Sequence, residues 1–79
     1  MKENIEQGLK MCFKRSLSKR ERFTIRFAEI EDTTGFKLST VLRYLEELKT
    51  LGVLLGYYPA ISRMHFVKGR NFYTWIINS

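Results

Sequence analysis

Apolar positions recur along this chain with a helical period in two long stretches and with a strand period in one short stretch. Ile5, Leu9, Cys12 and Phe13 stand at i, i+4, i+7 and i+8, and this stripe predicts a helix over residues 3–15 packed on one face. Lys10 and Lys14 fall off the stripe, and Gly8 interrupts it. SLSKRER (16–22) has no period and reads as a basic connector, with Leu17 as its anchor to the core. RFTIR (22–26) alternates polar and apolar residues and is rich in strand formers, which predicts a short strand. In FAEIEDTTG, Phe27, Ile30 and Ala28 can face inward from a short helix that stops before Gly35, a residue suited to a left-handed turn.

KLSTVLRYLEELKTLGVL (37–54) has the most regular pattern. At about 100° per residue, Leu38, Val41, Leu45 and Leu48 share one stripe, bordered by Tyr44 and Leu51. Ser39, Arg43, Glu46 and Thr50 point the opposite way, and Leu42 lies about a quarter-turn off the stripe as an exposed leucine. Gly52 ends the helix, and an extended segment starts at Val53. From 53 to 77, VLLGYYP, MHFV and NFYTWII are rich in β-branched and aromatic residues and predict a β-hairpin. Its turn can fall between Pro59 and His65 or between Lys68 and Asn71. Either register puts Arg63, His65, Lys68 and Arg70 near a basic tip.

Composition narrows the picture. With 79 residues the chain is one domain with a small core. No apolar run approaches the roughly 20 residues of a membrane helix, and the polar start MKENIEQG is not a secretory signal. A lone cysteine, Cys12, cannot staple the fold and has no companions for a metal site; it reads as a small core hydrophobe in a reducing, cytoplasmic setting. The formal net charge is +6 with a pI near 9.8, a balance that favours an anionic partner. Residues 1–27 carry eight Lys/Arg against three Glu, residues 28–51 three against five acids, and residues 52–79 three and no acid. Two basic flanks thus surround a slightly acidic middle.

The order of helix, strand, helix, turn, helix and hairpin matches the winged helix-turn-helix arrangement. FAEIEDTTGFKLSTVLRYLEELKTLGVL resembles the helix-turn-helix of small winged-helix transcriptional regulators of the ArsR, MarR and PadR type. The resemblance lies in Ile30, Gly35, Ser39-Thr40-Val41, Leu45, Leu48 and Gly52-Val53-Leu54, and NFYTWII resembles the last strand of the wing. It spans roughly residues 22–77. It implies an α+β fold of three helices, a short first strand and a C-terminal hairpin wing. It further implies that helix 38–51 enters the major groove of double-stranded DNA by its first half, with the wing on the backbone or minor groove. The family's groove-facing positions fall on Leu38, Ser39, Leu42 and Arg43, with Lys37 and Thr40 suited to phosphate. Arg26 and Lys37 stand where the family usually has Ser or Thr caps, and Leu42 where it is often polar. Missing caps cost about 1 kcal/mol each, so a phosphate beside Arg26 and Lys37 would offset that cost.

Arg43 is the best candidate for base readout, because a guanidinium pairs bidentately with guanine; its simpler alternative is a surface pair with Glu47. Lys19, Arg20 and Arg22 form a basic cluster for backbone phosphates, joined by Arg26 and by the wing residues Arg63, His65, Lys68 and Arg70. Glu46 and Glu47 read as solvated. No phosphate loop, nucleophile with a base, or His/Cys cluster marks an enzyme, a cofactor or a metal sensor, and no small-molecule effector is evident. The expectation is a sequence-specific DNA-binding regulator, dimeric through the first helix (Ile5, Leu9, Phe13) or the tail from Trp75 to Ile77. A winged helix that docks on transcription or replication proteins is the second reading, and sequence-independent nucleic-acid binding the third.

Overall fold

The stripe of Ile5, Leu9, Cys12 and Phe13 becomes the buried side of α1 (Lys2–Arg15) in the structure, a computed structural model that describes residues 1–78. A connector leads to β1 (Arg22–Arg26), which passes directly into α2 (Phe27–Thr34). Next come α3 (Leu38–Thr50), β2 (Leu54–Ala60), β3 (Arg63–Lys68) and α4 (Phe72–Ile77). The architecture is α+β, with four helices and one antiparallel sheet in the order β1-β3-β2.

Two local devices set the path of the helices. Gly8 brings α1 against the end of α2 so closely that a Cβ there would stand 2.7 Å from Thr34 Cα. Gly35 then ends α2 with φ at 78°, and its N–H donates to the Glu31 carbonyl at 2.8 Å. That is the left-handed stop expected of a glycine after a helix. The side chain of Thr34 supports the same turn, donating to the Ile30 carbonyl at 2.7 Å and accepting from Phe36 N–H at 3.2 Å.

The helices cover one face of the sheet. Phe23, Ile25, Met64 and Phe66 point inward and meet Leu9, Phe13, Ile30, Val41, Leu45 and Leu48. Phe13 centres an aromatic cluster, with its ring 5.3 Å from Phe23, 4.9 Å from Phe66 and 5.8 Å from Phe72. Buried aromatic rings of this size supply much of a small core's apolar area. Burial pushes the Cys12 thiol up, so it stays protonated within the core.

Several sequence expectations change. NFYTWII is not a strand: residues 72–77 form α4, because Phe72, Trp75 and Ile76 at i, i+3 and i+4 pack on the core as a helical stripe. The hairpin turn falls at Ile61–Ser62, the first of the two registers, with Ala60 facing Arg63. Leu17 is exposed and anchors nothing. The connector is held instead by Lys68, whose ammonium donates to the Ser18 carbonyl. Lys10, expected off the stripe, is buried over the Trp75 ring at 5.0 Å; its ammonium donates to the Asn78 carbonyl and lies 3.5 Å from Glu6. Ile5, Leu9 and Phe13 are used up in the core, as is Ile76, so they cannot form a dimer seam.

Candidate nucleic-acid interface

Helix α3 presents two different halves. Toward its amino end Lys37, Ser39 and Arg43 are exposed and Thr40 is half-buried. Leu38 packs against the core as its place on the apolar stripe predicts, and not toward a groove as the resemblance implies; Leu42, read as an exposed leucine, is also half-buried against the core. Arg43 and Thr40 border a recess of about 200 Å³ between α3 and the start of α1, lined also by Lys2, Ile5, Tyr44 and Glu47. Glu47 pairs with Lys2 at 2.7 Å rather than with Arg43. Toward the carboxyl end Glu46 accepts from the Tyr57 hydroxyl and lies 3.9 Å from Lys49. Burial, then the hydrogen bond to Glu46, pushes the Tyr57 hydroxyl up to about 12, so it remains a donor near neutrality.

The helix starts are not bare. The first amide of α3, Leu38 N–H, donates to the Glu31 carboxylate at 2.8 Å. Glu31 thus replaces the missing cap at Lys37 from the neighbouring helix, and its charge suits the positive end of the helix dipole. At α2, Phe27 N–H donates to the Ser62 carbonyl at the hairpin turn, at 2.9 Å. The energetic reason for a phosphate beside Arg26 and Lys37 therefore falls away. Glu31, exposed, thereby also brings negative charge to the start of α3.

The hairpin carries its charges differently from the expectation. β2 leaves α3 at Gly52 and runs back beside it, as the bond between Tyr57 and Glu46 marks. Glu46 to Leu38 is about 12 Å of helix, and Tyr57 to Ala60 about 10 Å of strand, so the hairpin turn and the start of α3 lie toward the same end of the molecule. Arg63, beside the turn, is exposed, and its register partner on β1 is Arg26, also exposed. His65 and Arg22 are exposed farther along the sheet.

Lys68 is no wing residue. It lies at the opposite end of β3, only 9% exposed, with its ammonium on the Ser18 carbonyl and 2.9 Å from the Tyr73 hydroxyl. The rings of Tyr73, Phe72 and Phe23 surround it at 4.9, 5.2 and 5.8 Å. The ammonium is enclosed by these neutral groups and is not presented to a phosphate. Arg70, beyond β3, is exposed at that same far end. Lys19 and Arg20 are exposed on the connector that leads into β1.

The strand alternation carried a signal for Lys68 that the composition hid. Met64, Phe66 and Lys68 are alternate residues of β3 and point to the same side. Outward alternation likewise gathers Arg22, Arg26, Arg63 and His65, together with the ring of Tyr58.

No family model matches the chain, and no curated protein or solved structure matches it. No helix of the described residues is long and apolar enough to cross a membrane. Among the described residues no group of three or more His, Cys, Asp or Glu is placed to hold a metal ion.

Proposed function

We propose that the chain is a winged helix-turn-helix protein that binds double-stranded DNA as a transcriptional regulator. The observation that carries the reading is the shared end of the molecule at which the start of α3 and the hairpin turn lie. Lys37, Ser39 and Arg43 on the helix and Arg26 and Arg63 beside the turn are all exposed. An α-helix enters the major groove by such a half, and a wing reaches the adjacent backbone. Arg43 is the base-reading residue in this proposal, and Ser39 and Lys37 contact phosphate. The roles of Leu38 and Leu42 shift from the groove to the core. Homodimerisation belongs to the proposal through its match to palindromic sites, with a seam other than α1's buried stripe.

A second reading, a winged helix that docks on another protein, draws on Glu31 at the start of α3, since its carboxylate repels phosphate. It also draws on Ile61, 93% exposed at the hairpin turn. Duplex titration at several salt concentrations separates the two. The DNA reading expects a steep salt slope and a strong preference for one sequence. Arg43→Ala should abolish the preference, whereas Lys19→Ala should weaken all duplexes alike. No duplex binding at low salt would sink the DNA reading in favour of protein docking.

A further inference from the structure

The sheet has a second face that the helices do not cover. The three strands contain no acidic residue. Their pairing sets the outward side chains in cross-strand rows: Arg26 and Arg63 with Ala60, then Thr24 and His65 with Tyr58, then Arg22 and Val67 with Gly56. All three arginines, His65 and Tyr58 are exposed, Tyr58 by 58%. Arg22 and Arg26 lie four residues apart on one strand, about 13 Å, and Tyr58 stands in the row between their rows.

Tyr58 lies down on the sheet instead of standing off it. Its hydroxyl and Cζ occupy space 2.5 and 2.9 Å from where a Cβ of Gly56 would be. The missing side chain at Gly56 makes that pose possible, and Val67, the register partner of Gly56, is buried although it points outward. A flat, half-open aromatic ring framed by arginines is the arrangement on which bases stack while phosphates pair with cations.

We propose that this open sheet face binds single-stranded nucleic acid, with a base stacked on Tyr58 and phosphates on Arg22 and on the Arg26–Arg63 pair. Charge complementarity selects a polyanion, and the aromatic centre selects one whose bases are free to stack. A duplex keeps its bases inside and offers the face only its backbone. The site shares Arg26 and Arg63 with the duplex reading but none of the exposed residues of α3, and it stands whether or not α3 reads duplex DNA.

The test uses the full chain and a fluorescein-labelled octathymidine, read by anisotropy at low and at higher salt. The wild-type chain is expected to bind it. Arg22→Gln with Arg63→Gln should weaken binding more than tenfold and flatten the salt slope by about 0.7 per arginine removed. Tyr58→Ala should weaken it about five- to 150-fold, the range for loss of one stacked base. Gly56→Ala should weaken it as well without changing any charge. The atoms that must yield there belong to the end of a flexible side chain, so the fold tolerates the change. Thermal melts of each variant check that the fold is retained.

Arg43→Ala should leave octathymidine binding unchanged; an equal loss there would place the oligonucleotide on α3 and overturn the proposal. No binding by the wild-type chain at low salt would overturn it. So would arginine-dependent binding that ignores both Tyr58→Ala and Gly56→Ala, or that goes equally to phosphatidylserine vesicles, since the face would then be a plain anion surface. Octathymidine binding with no duplex binding would remove the reading of α3 alone.

Discussion

Strand β3 shows Met64 and Phe66 to the helices and Arg63 and His65 to solvent, and the two sides answer to different physics. The inner residues are almost fully buried, in contact with Phe13 and the leucines of α3. Their stabilisation scales with apolar area and with the closeness of packing. The outer residues are solvated polar side chains, and the repulsion between Arg63 and its neighbour Arg26 is weak in water, so they contribute little to folding and are free for binding. Lys68 breaks the division, because it is a cation on the inner side. It is tolerated because its ammonium has hydrogen-bond partners and lies against three aromatic rings, which together offset desolvation.

The division breaks most clearly where the core is emptied. Phe66→Ala should lose about 3–5 kcal/mol of stability in urea unfolding; a loss under about 1 kcal/mol would mean that the inner face is not the core. Lys68→Ala should cost about 2 kcal/mol, from lost cation–π and hydrogen-bond contacts. In a domain of this size that is roughly a 10 °C fall in melting temperature. A melt indistinguishable from wild type would make Lys68 an ordinary surface lysine. At the small end, Arg63→Ala should stay within about 0.5 kcal/mol of wild type, and a larger loss would show that the outer face is structural after all.

Much of this fold was legible in the apolar spacing. The stripes of α1 and α3, the alternation of β1 and the stop at Gly35 all lie where the pattern puts them. What the pattern could not show came from partners far along the chain. The residues of α4 favour strands in isolation, and the helix forms because Phe72 and Ile76 reach the aromatic cluster on one side. Glu31 as the cap of Leu38 depends on how α2 and α3 meet, which no local motif at Lys37 reveals. The candidate interface was legible as basic flanks but not as a surface. Which arginines share a face follows from the register of β1 on β3, and that register is set only in the assembled sheet.

The bond from Phe27 N–H to the Ser62 carbonyl joins the first turn of a helix to the turn of a hairpin far along the chain. Neither helix α2 alone nor the hairpin alone can form it. In a hydrogen-exchange experiment, the Phe27 amide therefore acts as a built-in clock hand for closure of the whole sheet. Early protection elsewhere in α2 would report local helix, while protection at Phe27 would mark the moment β1 has found β3. A ligand that pulls on the hairpin turn would be felt at this same amide, which makes it a single-atom gauge of how stiffly the tip is tied to the helices.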